Sequence, residues 1–255
     1  MIEILTCNGA ATVQDTGRPG FRHLGVPLSG ALDGGLLRIA NALVNNPLNA
    51  AAIELRMVGP RLRAEAPTLI ALAGAVDGRI EDAHGHSRVA RAWASYRLEV
   101  GDTLTLGAVR SGVAYLAIAG GIDVPQVLGS RSTYTRAHFG GFKGRQLAAG
   151  DRLNVLPTGT RKVGDGDTAP IELQLPNPPQ VGESPLRILA GPQQEYFTAH
   201  ARARLIEEEF TVSPQADRMG MRLTGPRLDH DTLYGADIVS DGVTPGTIQV
   251  PADGN

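Results

Sequence analysis

Between residues 33 and 44 the apolar positions Leu36, Leu37, Ala40, Leu43 and Val44 recur at a spacing of three and four, which places them on one face of a helix. Ser29 or Asp33 can cap its start, and Asn45-Asn46-Pro47 stops it. Most of the remaining chain has a shorter period. Residues 1–7 begin with alternation, and 51–57, 68–73, 87–92, 97–106 and 114–119 are short, apolar or alternating, and separated by Gly, Pro or Asp. These runs predict strands joined by turns. A second helix is expected within 193–208, with Thr198 as a cap, and a last strand at 246–250 that leads into Asp253-Gly254, a strong hairpin signal. Residues 157–185 are rich in Pro, Gly and Asp and predict a linker or a long surface excursion. The organisation predicted is a mainly β domain over 1–157, a connecting stretch over 158–185 and a second β domain over 186–255.

Two internal echoes bear on this division. Leu98-Glu-Val-Gly-Asp-Thr-Leu-Thr-Leu106 matches Leu147-Ala-Ala-Gly-Asp-Arg-Leu-Asn-Val155, each a strand entered through a Gly-Asp turn, and Gly59-Pro-Arg-Leu62 recurs as Gly225-Pro-Arg-Leu228. Duplication of one domain and chance recurrence of common turn chemistry both account for them. If the halves are related, the second is the shorter, and the expectation is a truncated chain or a final sheet that a partner completes.

The segment 12–33, TVQDTGRPGFRHLGVPLSGALD, has neither period. It sets Gln14, Asp15, Arg18, Arg22, His23, Ser29 and Asp33 between glycines and prolines. Ordering such a segment costs backbone entropy and buries little in return, and polar loops on a rigid scaffold often serve binding or chemistry.

Composition narrows the function classes. The 255 residues are 42% hydrophobic and 20% charged, within the ordinary globular range and enough for one or two domains. Gly 32, Pro 17 and only 4% aromatics favour many turns between short strands. A net charge of -2 implies no nucleic-acid partner. One cysteine, Cys7, excludes an internal disulfide and any multi-cysteine metal site. MIEILTCNG is no secretory signal, and no apolar run is long enough to span a bilayer, so a cytoplasmic, membrane-free protein is expected.

The candidate chemistry is cationic. Guanidinium forks bind carboxylates and phosphates bidentately and stay charged, and Arg18, Arg131, Arg145 and Arg218 each sit in a Gly- or Pro-rich loop. Each reads either as an anion or carbonyl clamp or as a tie between loops through backbone carbonyls. Gly17 and Pro19 fix the backbone of Arg18 and make it the leading candidate. His23 is a candidate general acid or base, because an imidazole titrates near pH ~6.5; the alternative is a hydrogen-bonded structural histidine. Ser29 and Asp33 precede the first helix, where they either cap it or frame an anion site. Asp15 and Asp217 can orient an arginine or a substrate amide, with Gln14 beside them as a further substrate-binding candidate. His84-Gly-His86 reads as a surface hairpin, and no metal site is expected. There is neither a Ser-His-Asp arrangement in a nucleophile-elbow context nor a Gly-x-x-x-x-Gly-Lys phosphate loop.

Several segments carry a resemblance to a known family. They are the leader just quoted, the helix LLRIANALVNNPLNAAAIEL, then AYLAIAGGIDVPQVLGSRSTYTRAHFGGFKGRQLAAGD, VSPQADRMGMRLTGP and SDGVTPGTIQVPADG. In this order, and over essentially the whole chain, they resemble the biotin-dependent carboxyltransferase family. That family is also called KipA-like, allophanate hydrolase subunit 2 or the C subunit of 5-oxoprolinase; its members usually carry on into further strands.

The resemblance implies a mainly β fold with a few helices and cyclophilin-like β-barrel architecture, as two related halves with the second truncated. It implies work beside two further subunits, one KipI-like (B) and one LamB/YcsF-like (A), to open 5-oxoproline to glutamate with ATP, bound mainly by the complex. In that reading His23, Arg18 and Asp217 are the catalytic candidates, and Gln14, Asp15, Ser29, Asp33, Arg131, Arg145 and Arg218 contact substrate. The related module of urea carboxylase moves a carboxyl group from carboxybiotin to urea. Lys143 and Lys162 lack the Met-Lys context of a biotin carrier, so biotin enters only with a separate carrier. The other alternative is a KipI-binding regulatory module that needs no chemistry.

Overall fold

A computed structural model describes residues 1–157, 171–179, 185–215, 217–218, 220–239 and 242–254. They fall into two compact units, Met1–Gly182 and Glu183–Asn255.

The first unit is built from short strands: β1 (Ile2–Thr6), β2 (Ala10–Gln14), β3 (Ala52–Arg56), β4 (Arg61–Ala64), β5 (Thr68–Gly74), β6 (Gly78–Glu81), β7 (Ser87–Ala90), β8 (Ala94–Leu98), β9 (Thr103–Leu106), β10 (Ala114–Ile118), β11 (Ile122–Asp123) and β12 (Arg152–Val155). All pairings are antiparallel. One sheet has the order β11-β12-β1-β4-β9-β6-β7 and the other β2-β3-β10-β5-β8.

The two sheets differ in burial pattern. In β1, β4 and β9 every second residue points inward: Ile2 and Ile4, Leu62 and Ala64, Leu104 and Leu106. These pack against Val13, Ile53, Leu55, Ile70, Leu72 and Leu116 of the second sheet. The second sheet is also covered on its other face. The helix α1 (Gly34–Leu43) lays Leu37, Ala40 and Leu43 on Ala52, Ala71, Ala73, Tyr115 and Ala117. Two covered faces explain why 68–73 and 114–119 are near-continuous apolar runs, whereas strands with one wet face alternate.

The first helix lies within the predicted span. Asp33 caps it, its carboxylate accepting from the Gly35 and Leu36 amides at 2.9 Å each. At the other end Asn45 turns the chain with φ 55°, and Asn46 holds it by donating to Ile118 O at 2.9 Å and accepting from Gly120 N at 2.7 Å.

The Gly-Asp echo is one turn built twice in a single sheet. Gly101 N donates to Ala64 O at 2.8 Å while Ala64 N donates to Asp102 O at 2.9 Å; Gly150 and Asp151 make the same pair with Ile4, both at 2.8 Å. Each aspartate also accepts from the amide three residues back, Glu99 N at 3.0 Å and Ala148 N at 2.8 Å. The predicted strand 97–106 is therefore two strands, β8 and β9, broken at this turn.

Both edges of the five-stranded sheet are occupied. Thr133 N and Leu147 N donate to Val13 O and Ala11 O on the outer side of β2. On the far side, Ser95 N donates to Leu173 O at 2.8 Å and Leu175 N to Trp93 O at 2.8 Å. The stretch 171–175 is thus laid along β8, and its Glu172 carboxylate accepts from Arg97 N at 2.7 Å and Arg88 at 3.2 Å. The rest of the predicted connecting stretch lies largely outside the described residues. His84-Gly-His86 forms the tip of the β6–β7 hairpin, where Asp82 accepts from the His84 and His86 amides.

The second unit holds α2 (Ala199–Glu207), capped by Thr198 through Ala201 N at 3.0 Å, and a hairpin of β13 (Thr211–Val212) and β14 (Leu223–Thr224). The strand predicted at 246–250 makes no ladder among the described residues; Thr247 N instead closes a turn on Thr244 O at 3.1 Å. Asp253-Gly254 does form a turn, with Gly254 at φ 78° and its carbonyl accepting from Leu228 N at 2.8 Å. Among the described residues no helix is long and apolar enough to cross a membrane.

Candidate functional site

The polar leader is ordered by one buried carboxylate. Asp15, at the end of β2, accepts from Gly17 N at 2.8 Å, Ser130 Oγ at 2.6 Å, Ser132 Oγ at 2.5 Å and Arg131 N at 2.6 Å. These donors come from two segments more than a hundred residues apart in sequence, so Asp15 binds the leader to the 127–133 loop. Four donors fill both oxygens, as a buried carboxylate requires.

Arg18 makes the complementary set. Nε donates to Val127 O at 3.3 Å, Nη1 to Ser29 Oγ at 2.9 Å and Nη2 to Ser132 O. The guanidinium lies over the Phe139 ring, 4.9 Å from its centre, and the residue is 1% exposed. Burial pulls the guanidinium down from its ordinary value while Asp15 pushes it back up. A cation so enclosed and so fully directed at protein acceptors ties loops together; this geometry differs from an open substrate clamp.

The return strand of the leader lies close against its start. Arg18 N donates to Leu28 O and Ala31 N to Asp15 O, both at 2.8 Å. Gly30, at φ 87°, permits this approach, because a Cβ there would come within 2.8 Å of Gly17 N. Ser29 is held at φ 53° with its hydroxyl on Arg18. The exit is anchored to the sheet by a pair absent from the sequence-based candidates. Glu54, 1% exposed on β3, accepts from Tyr115 Oη at 2.6 Å and Leu32 N at 2.8 Å, and Tyr115 Oη accepts from Asp33 N at 3.1 Å. On the same face of the sheet, at the end of β2, Gln14 donates to Thr12 Oγ1 at 3.0 Å and Thr133 O at 3.3 Å, with its Oε1 buried and unpartnered among the described residues.

Two hollows flank this network. One, of about 370 Å³, is lined by Arg18, Pro19, Gly20, Arg22, His23 and Leu28. His23 sits exposed at its rim on a short turn of helix with Arg22, and no carboxylate lines it. The other, of about 560 Å³, lies between the 138–144 loop and β11–β12. Arg18 and Phe139, in contact, line one each.

The structure thus gathers Gln14, Asp15, Arg18, Ser29 and Arg131 into one network, with His23 at its edge. Arg131 reaches it through its amide, and its Nε donates to Val124 O at 3.0 Å. Asp33 caps α1 at the far end of the leader. Arg145 lies apart, forked onto Asp151 at 2.7 Å through both nitrogens. That fork holds the Asp151 carboxyl below the usual carboxylate range and raises Arg145. Asp217 and Arg218 belong to the second unit, where Asp217 closes an exposed turn with Gly220. Ser130, Ser132, Phe139 and Arg22 complete the first site; the alternation Ser130-Arg131-Ser132 was the available signal for two of them. Among the described residues no group of His, Cys, Asp and Glu side chains could hold a metal ion.

The family described as carboxyltransferase domain, subdomain A and B, matches residues 24–255. The chain is 36% identical over its whole length to the 5-oxoprolinase C subunit of Escherichia coli, of which it covers 77%. It is 34% identical over 89% of its length to urea amidolyase of Saccharomyces cerevisiae, but covers 12% of that protein. The crystal structure of Kluyveromyces lactis urea carboxylase superposes with a TM-score of 0.74 and 30% identity, covering 90% of this chain and 21% of that one.

Proposed function

The chain belongs to the carboxyltransferase family of subdomains A and B, and from that premise we propose that it is the C subunit of an ATP-dependent 5-oxoprolinase, forming part of the active site that opens 5-oxoproline to glutamate. The observation that carries this reading is the 36% identity to the E. coli protein over the whole chain. The urea amidolyase match is lower in identity and confined to a small part of a much longer protein.

In this reading two further subunits, KipI-like (B) and LamB/YcsF-like (A), complete the enzyme. ATP transfers a phosphoryl group to the lactam oxygen and leaves as ADP; water adds to the activated ring carbon, the C–N bond breaks as the nitrogen takes up a proton, and a second water cleaves the resulting acyl phosphate to glutamate and phosphate. The hollow beside Arg18 offers one accessible guanidinium, Arg22, and no carboxylate, which suits an anionic group, but no phosphate-cradling loop, so most of the nucleotide site falls to the partner chains. His23 is the proton carrier at its rim and Arg22 the accessible cation beside it. Arg18, Asp15 and Ser29 position the loop that presents both. Asp217 and Arg218 are the candidates carried by the second unit, and Gln14, Arg131, Arg145 and Asp33 act as supports through the contacts described above.

The test is reconstitution. The full-length protein, purified with its two partner subunits, should release glutamate from 5-oxoproline in step with ATP hydrolysis, and omission of any chain should stop it. A complete trio without turnover sinks the reading. Urea-dependent consumption of carboxybiotin by the same preparation would favour carboxyl transfer, and a regulatory effect that survives loss of all turnover would favour the KipI-binding module.

A further inference from the structure

We propose that the groove between the 138–144 loop and β11–β12 is an oxyanion subsite, taking the carboxylate of a small amide substrate or a phosphate group, with Lys143 as the cation that meets it. The choice of substrate rests on the function proposed above; the subsite itself rests on geometry.

The groove encloses about 560 Å³, within the size range of small-molecule sites. Phe139 and Phe142 supply flat apolar walls, and Asp123, His138, Lys143, Arg152 and Asn154 are the polar side chains that line the groove with them. Of the cations nearby, Arg152 is paired with Glu65 and Arg145 with Asp151. Lys143 makes no close ion pair among the described residues, although its charge helps hold down the Asp151 carboxyl that Arg145 already forks; its ammonium lies 5.1 Å from the centre of the Phe142 ring. An aromatic face beneath an exposed ammonium holds it in place, and Asp151, the anion whose charge it feels, already has both oxygens on Arg145.

The backbone points the same way. Lys143 sits at φ 55°, in the left-handed region, between Gly141 at 53° and Gly144 at 67°. A glycine at 143 would carry no steric cost there. A lysine kept in a strained conformation, over an aromatic ring and on the lip of a groove, follows the pattern of strain stored at ligand sites.

The opposite wall has different chemistry. Asp123 and Asn154 are cross-strand partners on β11 and β12. Asp123 accepts an N–H, and Asn154 both donates and accepts, which together match the edge of an amide. Asp123 also repels a second anion. A ligand with an amide at one end and an oxyanion at the other therefore binds in one direction, its oxyanion toward Lys143. A lactam carboxylate has both groups; a nucleotide offers the oxyanion through phosphate.

Calorimetric titration of the full-length protein and of the reconstituted complex, with 5-oxoproline and with inorganic phosphate as separate probes, tests this. Lys143→Gly should weaken binding of at least one probe by about tenfold or more, without lowering the melting temperature, while Lys143→Arg restores most of the affinity. Arg110→Ala, which removes an exposed partner of Asp77, should change nothing. The probe that loses affinity identifies the source of the oxyanion. The proposal is overturned if neither probe binds the complex, or if Lys143→Gly binds both as tightly as the wild type. An active trio with an unchanged KM for 5-oxoproline in Lys143→Gly and no loss of phosphate binding removes the subsite alone. An inactive trio with Lys143-dependent phosphate binding removes the enzyme reading alone.

Discussion

The Arg18 guanidinium donates to the Ser29 hydroxyl at 2.9 Å, so the first and last turns of the polar leader close on each other through a residue with 1% of its surface exposed. Truncating Arg18 removes more than this contact, since Ser132 O loses its donor and Val127 O keeps only Ser130 N at 3.3 Å. Arg18→Ala should destabilise the protein by about 3–5 kcal/mol, the range for breaking a buried charged network. Arg18→Lys should recover only part, because an ammonium cannot reach three diverging acceptors. Urea unfolding of both variants checks this, and wild-type stability in Arg18→Ala would contradict the network.

The Glu54–Tyr115 pair is a second buried anchor. Tyr115→Phe should cost about 1–2 kcal/mol, because Glu54 keeps Leu32 N while Asp33 N loses its acceptor. Glu54→Gln should cost about as much, and the double variant less than the sum. A double-mutant cycle with no coupling would show that the 2.6 Å contact is energetically idle.

Acid should act through Asp151. Its folded-state pKa is held low, first by the hydrogen-bonded fork of Arg145, so the unfolded chain takes up this proton at higher pH than the folded one. The stabilisation is complete above the unfolded carboxylate value, about pH 4, and is lost as pH falls through the lowered folded value. Asp151→Asn should be less stable than the wild type by about 1–3 kcal/mol at neutral pH, with the gap narrowing below about pH 4. Denaturant midpoints across pH measure the gap; a constant difference down to acid would exclude the assignment.

Cys7 should be a sluggish nucleophile. Burial, and then the negative charge of Asp151, raises its thiol above the ordinary value and outweighs the Gly9 backbone hydrogen bond that favours the thiolate. Iodoacetamide should label the folded protein at neutral pH about tenfold or more slowly than a free thiol, because only the thiolate attacks, and urea should abolish the protection. Fast labelling of the folded chain would contradict the burial.

Two glycines in the site region separate conformational cost from crowding. Gly129 at φ 77° faces open space, and Gly129→Ala should cost about 1–2 kcal/mol from the left-handed backbone alone. Gly141 at φ 53° is different, since a Cβ would overlap Thr133 Oγ1 and come within 2.8 Å of Thr133 Cβ. Gly141→Ala should cost about 1–3 kcal/mol beyond that, and equal melting points for the two variants would refute the packing described.

What the sequence disclosed was local in origin. Asp33 could be read as a cap because its two acceptor contacts lie within three residues, and the Gly-Asp turns declared themselves because each repeats one short motif. The site was legible as composition but not as geometry. Arg18 is directed by Val127 and Ser132, 109 and 114 residues away, which no periodicity encodes. Glu54 was hidden in an apolar strand, where its pairing with Tyr115 depends on the register of β3 against β10. The strand expected at 246–250 had the right residue types, but strand propensity expresses itself only where a neighbour completes the ladder.

The stretch laid along β8 has a solubility consequence. Its main chain takes up hydrogen-bonding groups at the rim of the five-stranded sheet that would otherwise be open to a foreign strand. Stripping 171–175 away would leave a sticky flank, and the protein would then be expected to assemble with itself edge to edge instead of staying dispersed.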